Sequence, residues 1–347
     1  MATITRIVNT ALSGIRANQR EVLLARFGLE KESGKGETLA AIGERLKVTR
    51  ERVRQIESAA AAAARANLEK NAAAAGVIEK VRKYLAARGG VARRSDVVQY
   101  AQTLIRGLKE HQLDFLAEIS GAFSAYAEDA DFTAFYYATD KDLKGILSFV
   151  ESWIAFLESH KEKVLAGSAA AYETQFANFT KARGATEAAA DNYLALAKHI
   201  RKNPYGDVGL RHWPEIRPMT VRDKIYLVLK KKGAPLHFED IAKHINRVGF
   251  DNLPALAPTV HNELIKDGRF VLVGRGMYGL KEAGYEPGTA REVIAKVLKH
   301  HGPLAPTDVV TRVNEQRFFK PNTILINLQN RSRFERLADG RYRVREA

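Results

Sequence analysis

Apolar residues along the chain recur at helical spacing in short blocks, with glycine, threonine or turn residues between them. Leu39, Ile42 and Leu46 form one stripe behind Thr38, which is placed to cap a short helix. Lys47 and Val48 leave room for a tight turn, and Thr49 caps a second helix. There Val53, Ile56 and Ala60 fall on one side, while Arg50, Glu51, Arg54, Gln55 and Ser58 fall on the other. A second pattern is an internal repeat. Val221 to Lys230 and Ala290 to Lys299 have matching apolar positions, and each run leads to a glycine, Gly233 or Gly302. A helix entered at Asp240-Ile241 or Asp308-Val309 follows, then one opened by Thr259-Val260 or Thr323-Ile324. Each copy closes in an alternating hairpin, Phe270 to Leu280 or Phe334 to Val344. A third, weaker copy spans residues 76–138, with Val77 to Leu85, Gly89-Gly90, Ser95-Asp96-Val97-Val98, a helix near 109–120, and alternation at 123–127 and 132–138.

A helix, a tight turn and a second helix with an outward Arg/Glu/Gln face form a helix-turn-helix, whose second helix enters the DNA major groove. Arginine suits guanine, glutamine adenine, and glutamate the cytosine amino group. Thr49 and Arg52 complete the DNA-facing set, with Arg52 nearer the apolar edge. A solvated helix face would show the same charge spacing; the capped helix and turn before it decide for DNA. In the repeat, three helices and a two-stranded hairpin make a winged helix. The fold class is therefore mainly α: an N-terminal helix-turn-helix, an acidic helical middle, and two or three winged-helix domains with short β-hairpin wings. The expected divisions are 1–70, 71–138, 139–217, 218–284 and 285–347, the third being helices over 141–164 and 168–200 with a turn-rich linker to 217.

Charge sharpens this picture. The 347 residues hold 55 Lys+Arg and 40 Asp+Glu, a net +15. Residues 1–70 carry +5, 71–109 +6, 110–191 −8 and 192–347 +12. Basic ends and an acidic middle point to ends that meet nucleic acid. There is no cysteine, hence no disulfide and no thiolate metal site. No apolar run approaches membrane-spanning length and no signal-peptide core opens the chain, so a cytoplasmic, nucleoid-associated protein is expected.

The N-terminal pattern resembles region 4 of the sigma-70 family of bacterial sigma factors over about residues 10–68. The carriers are Arg20-Glu21-Val22-Leu23-Leu24-Ala25-Arg26-Phe27-Gly28-Leu29, Thr38-Leu39 through Gly43, and Val48-Thr49-Arg50-Glu51-Arg52-Val53-Arg54-Gln55-Ile56-Glu57. The resemblance implies that the second helix reads a −35 promoter element. Arg50, Glu51, Arg54 and Gln55 would then make base and phosphate contacts. It also implies a pocket for the flap of the RNA polymerase β subunit, for which Leu23, Leu24 and Phe27 are candidates; an ordinary core would use the same three. The sequence departs from the family in three ways. Ala41 stands where an acidic residue usually completes a capping box. Ala59 to Ala64 replace a basic run, which favours a helix that continues as a connecting rod. Nothing resembles region 2, which melts promoter DNA, so a complete sigma factor is not expected. The first repeat copy resembles the HARE-HTH domain, also found in an RNA polymerase delta subunit, over about 218–282. Its carriers are Pro235-Leu236-His237-Phe238, Thr259-Val260-His261-Asn262 and Phe270-Val271-Leu272-Val273-Gly274-Arg275-Gly276-Met277-Tyr278.

Other candidate chemistry falls away. Gly34-Lys35-Gly36 lacks phosphate-loop spacing. His237, His244 and His261 lack a carboxylate at ligand spacing. No nucleophile–base pair stands out, so no enzyme, cofactor or small-molecule substrate is expected. Arg275 sits at a hairpin tip, either as turn chemistry or as a phosphate contact. The expected partners are duplex promoter DNA and core RNA polymerase through the β flap, with no membrane. The expected role is a sequence-specific transcription factor. The alternative is a polymerase-associated modulator, delta-like or anti-sigma-like, acting through protein contacts.

Overall fold

The computed structural model describes residues 2–166, 169–251, 253–285, 288–317 and 319–345. The chain divides into two compact units, residues 1–201 and 202–347. The first holds α1 (Ile4–Ala11), α2 (Ala17–Phe27), α3 (Leu39–Leu46), α4 (Arg50–Glu69), α5 (Ala72–Ala86), α6 (Arg94–Leu104), α7 (Glu110–Ser120), α8 (Asp140–Ser159), α9 (Lys161–Ala166), α10 (Ala169–Ala182) and α11 (Glu187–Leu196). The second holds α12 (Val221–Lys232), α13 (Phe238–Val248), α14 (Ala257–Lys266), α15 (Ala290–His301), α16 (Pro306–Gln316) and α17 (Pro321–Leu328). No helix among the described residues is long and apolar enough to cross a membrane.

The first unit is organised around α4. Its N-terminal half closes a small core in which Val22, Ile42 and Val53 are fully buried and Ile56 packs alongside. Its C-terminal half lies in a larger core with α1, α5, α6 and α7. The alanine run is not a free connecting rod. Ala60 and Ala64 are fully buried, because a methyl side chain lets α1 and α7 approach α4 closely. Two side chains fasten this half. Arg65 Nε donates to the Ile119 carbonyl at 2.7 Å, a cation at the C-terminal end of α7. Asn67 Nδ2 donates to the carbonyls of Ala11 and Ser13 at 3.0 and 2.8 Å, satisfying acceptors that α1 leaves unpaired at its end.

After α4, the order helix, strand, helix, helix, strand, strand recurs. In the first unit Phe135–Tyr137 is the central strand, antiparallel to Val91–Arg93 and to Ser124–Tyr126. In the second, Met277–Leu280 is central between Leu236–His237 and Phe270–Gly274. The last copy has a two-stranded wing, Phe334–Arg336 with Tyr342–Val344, and a bridge from Leu304 to Tyr342. Phe270, Tyr278 and Phe334 are buried hairpin core, and Tyr342 packs against the core of its own copy.

Three stretches differ from the sequence expectation. The helix expected over 141–164 is broken at His160, between α8 and α9. The helix expected over 168–200 is interrupted: α10 ends before Gly184, at φ +66°, and Thr186 caps α11. Regular helix ends at Leu196, and residue 168 lies outside the described residues. The expected linker to 217 is packed rather than open. Asn203 Oδ1 accepts from the amides of Tyr205 and Asp207, while Trp213 and Ile216 are buried. Its turn-forming composition conceals that apolar pair. The aromatic stripe of α8 is core: Trp153 and Leu157 are buried, and Phe149 and Trp153 meet Phe179 at ring distances of 5.4 and 4.9 Å.

The turn from α3 to α4 sets the direction of the second helix. Lys47 takes a left-handed conformation at φ +55°, the one non-glycine to do so among the described residues. Val48 N donates to the Gly43 carbonyl at 2.9 Å. A Cβ on Gly43 would lie 2.7 Å from the Val48 carbonyl oxygen, so the two helices meet this closely only over glycine. Alanine in an open helical site gains about 1 kcal/mol over glycine; an overpacked contact costs about 1–3 kcal/mol. The obstructing atom is backbone, so the cost wins. Gly43→Ala is therefore expected to destabilise the α3–α4 pair, read as faster amide hydrogen exchange in α3. Equal or slower exchange there would show that the turn tolerates a side chain.

Candidate nucleic-acid interface

Thr49 begins the candidate site. Its backbone is extended and its hydroxyl accepts from Arg52 N at 3.2 Å, which starts α4 at Arg50. Thr38 does the same for α3, accepting from Ala41 N at 3.2 Å, so half of a capping box survives without the acidic partner at 41. Val53 points into the small core. Glu57 is drawn to the scaffold, accepting from Arg26 Nε at 3.1 Å. Those two anchors turn the remaining residues outward. Thr49, Arg50, Glu51, Arg52, Arg54, Gln55 and Ser58 lie on that outward side, and the four charged side chains among them are exposed.

The exposed face is internally paired. The Glu51 carboxylate accepts from Arg54 Nε at 2.9 Å and Nη2 at 2.7 Å. This pairing holds the Glu51 carboxyl below its ordinary range, the Arg54 hydrogen bond being the largest cause, and raises Arg54. Arg52 Nη1 donates to Gln55 Oε1 at 3.2 Å. Arg50 and Arg52 form no ion pair among the described residues. Water screens an exposed pair such as Glu51–Arg54, so a duplex offering base edges and phosphates competes with it readily. Behind the face, Glu37 accepts from Lys31 Nζ at 2.8 Å and Arg45 Nε at 3.3 Å, and Arg45 also pairs with Glu21. This network ties the loop before α3 to α2 and α3. Lys47, exposed in the tight turn beside the face, is a further cation that the helical pattern did not single out.

Leu23, Leu24 and Phe27 lie elsewhere. Leu23 is fully buried in the larger core, and Leu24 and Phe27 are partly buried against it. The Phe27 ring meets Phe115 of α7 edge-on, with centroids 5.4 Å apart. The apolar side of α2 is thus covered by the chain itself, a contact between residues 88 positions apart that no local pattern announces.

In the second unit Arg275 is exposed at the tip of the hairpin. Its neighbour Gly276 has φ +65°, and a Cβ there would lie 2.4 Å from His237 Nε2. The glycine therefore holds the tip against the short strand Leu236–His237. The His237, Phe238 and His261 rings stand in a row at centroid distances of 4.5 and 4.6 Å, a packed support for the wing.

Comparison with known families agrees with this geometry. Residues 11–65 match the family described as sigma-70, region 4. Residues 219–283 match the HARE-HTH family, a helix-turn-helix domain whose description names ASXL and restriction endonucleases. Both are helix-turn-helix types rather than enzyme families. The chain thus joins a segment that matches sigma-70 region 4 to one that matches HARE-HTH, both helix-turn-helix types, as in a DNA-binding protein.

Proposed function

We propose that the protein is a bacterial sequence-specific transcription factor that reads a −35-like promoter element through the N-terminal half of α4. The observation that carries this reading is the outward set Arg50, Glu51, Arg54, Gln55 and Ser58. It is held in place by Val53, the Arg26–Glu57 pair and the glycine turn at residue 43. Thr49 and Arg52 flank it for phosphate. Arg275 on the first wing of the second unit is a further phosphate contact.

The polymerase contact has less support. Leu23 belongs to the core, Leu24 packs against that core, and the Phe27 ring meets Phe115 of α7. A β-flap contact at these three residues therefore requires α7 to give way. A polymerase-associated modulator is the second reading. It is favoured by Leu253, Leu256 and Ile265, exposed apolar side chains on and before α14 where a base-reading helix would carry polar ones. Capture of core polymerase without duplex affinity would select that reading.

Selection from a randomised duplex pool tests the preferred one. Arg54→Ala or Gln55→Ala is expected to relax base preference about five- to a hundredfold at one position of the selected site. Arg52→Ala is expected to change affinity more than preference. An unaltered selected sequence for Arg54→Ala would remove α4 as the reader. A second outcome concerns promoter opening. These residues with core polymerase alone are expected to give no specific transcript, and addition of a complete sigma factor is expected to be needed. Specific transcripts from the pair alone would contradict the proposal.

A further inference from the structure

The second unit contains a basic cleft of about 820 Å³ that the α4 reading does not use. One wall is the first wing, from Leu272 to Met277. The other is the segment that leads into α17, with Arg317, Lys320 and Thr323. No carboxylate lines it among the described residues. Arg275 and Lys320 are exposed at its rim, and neither forms an ion pair among the described residues. Lys320 precedes Pro321 at the start of α17, an eight-residue helix whose N-terminus has no side-chain cap. Pro321 has no amide hydrogen and Thr323 N donates to the Lys320 carbonyl at 2.8 Å, so the Asn322 amide is the one this end offers to an anion.

Arg317 supplies the independent observation. It is 4% exposed, as is one other cation, Lys224. Lys224 is paired with the Asp251 carboxylate. Arg317 has no carboxylate partner among the described residues. Its Nη2 donates to the Leu272 carbonyl, while Nε and Nη1 are buried with no hydrogen-bond partner among the described residues. The Phe319 ring, 5.2 Å from the guanidinium carbon, offers only its face. A buried cation left so poorly paired is costly, and a leucine or methionine would fill the same space without that cost. Burial lowers the Arg317 pKa, partly opposed by Glu292, but a guanidinium remains charged at any physiological pH.

We propose that this cleft seats a backbone phosphate of duplex DNA, with Arg317 as the buried anchor and Lys320 and Arg275 on the rim. Seating it requires the guanidinium to rotate from the Leu272 carbonyl toward the anion. The exchange is favourable because a phosphate brings an opposite charge and a second acceptor to a guanidinium that the Leu272 carbonyl engages through Nη2 alone. The planar guanidinium also matches two phosphate oxygens at once. The phosphate would lie between the wing of one copy and the third helix of the next, so the tandem copies present one continuous backbone-binding surface. This inference rests on the DNA-binding reading but assigns a contact to a different part of the chain.

The test uses the full chain carrying Arg54→Ala and Gln55→Ala, which removes base reading by α4 while leaving the second unit untouched. Affinity for a duplex without a selected site is measured across a salt series. Arg317→Met and Lys320→Ala are each expected to weaken binding several-fold at low salt. Each is also expected to flatten the log–log salt dependence by about 0.9, the value for one lost phosphate contact. The double variant should lose little more than either single one, since both act on one phosphate. Arg317→Met is expected to melt at or above the parent temperature, because it removes an unpaired buried charge. An unchanged salt slope in both single variants overturns the proposal, as does a lower melting temperature for Arg317→Met with affinity unchanged. Loss of all duplex binding in the Arg54→Ala, Gln55→Ala parent also overturns it, and leaves the α4 reading standing.

Discussion

The structure of the first unit depends on how α4 is held. It is one helix of 20 residues with two unlike halves. The N-terminal half is anchored at Val53 and by the Arg26–Glu57 pair, and presents arginine, glutamate and glutamine to solvent. The C-terminal half buries Ala60 and Ala64 and is fastened by Arg65 and Asn67 to the ends of α7 and α1. Each fastening satisfies carbonyls that a helix end leaves unpaired, so one set of contacts completes the neighbouring helices and fixes α4. A helix meant to reach into a groove gains from such stiffness, because its donors then meet base edges without a further ordering cost.

Charge and packing divide the labour. In the proposed reading the bases would be met by a few donors at defined positions on α4, while phosphate attraction would be spread over a chain with net charge +15. Residues 110–191, with net charge −8, build α7 to α10 and the start of α11, and include the α7 ring Phe115 that covers Phe27 on α2. The acidic stretch thus contributes a structural wall to the N-terminal helices. In the second unit, the guanidinium of Arg317, held by one carbonyl and by no carboxylate among the described residues, is the clearest departure from the rule that buried charges are partnered.

Local features were legible in the sequence. Thr38 and Thr49 announced two capped helices; the outward face of α4 followed from its spacing; Phe270, Tyr278 and Phe334 marked the wings. Long-range features were not. Six alanines read as a rod, because nothing local shows that α1 and α7 come to lie against Ala60 and Ala64. Trp213 and Ile216 sat within a turn-rich composition and were hidden by it. Arg317 carries no local signal, since its burial depends on a wing 45 residues earlier. The rule is general: capping and periodicity are written within a few residues, whereas partners brought together by folding are not.

The most direct measurement is amide hydrogen exchange of the full chain with and without a duplex chosen from a randomised pool. Protection is predicted at the turn of residues 47–49 and the first two turns of α4, with α2 and α8 unchanged. Protection confined to α8–α11, with none at α4, would contradict the account.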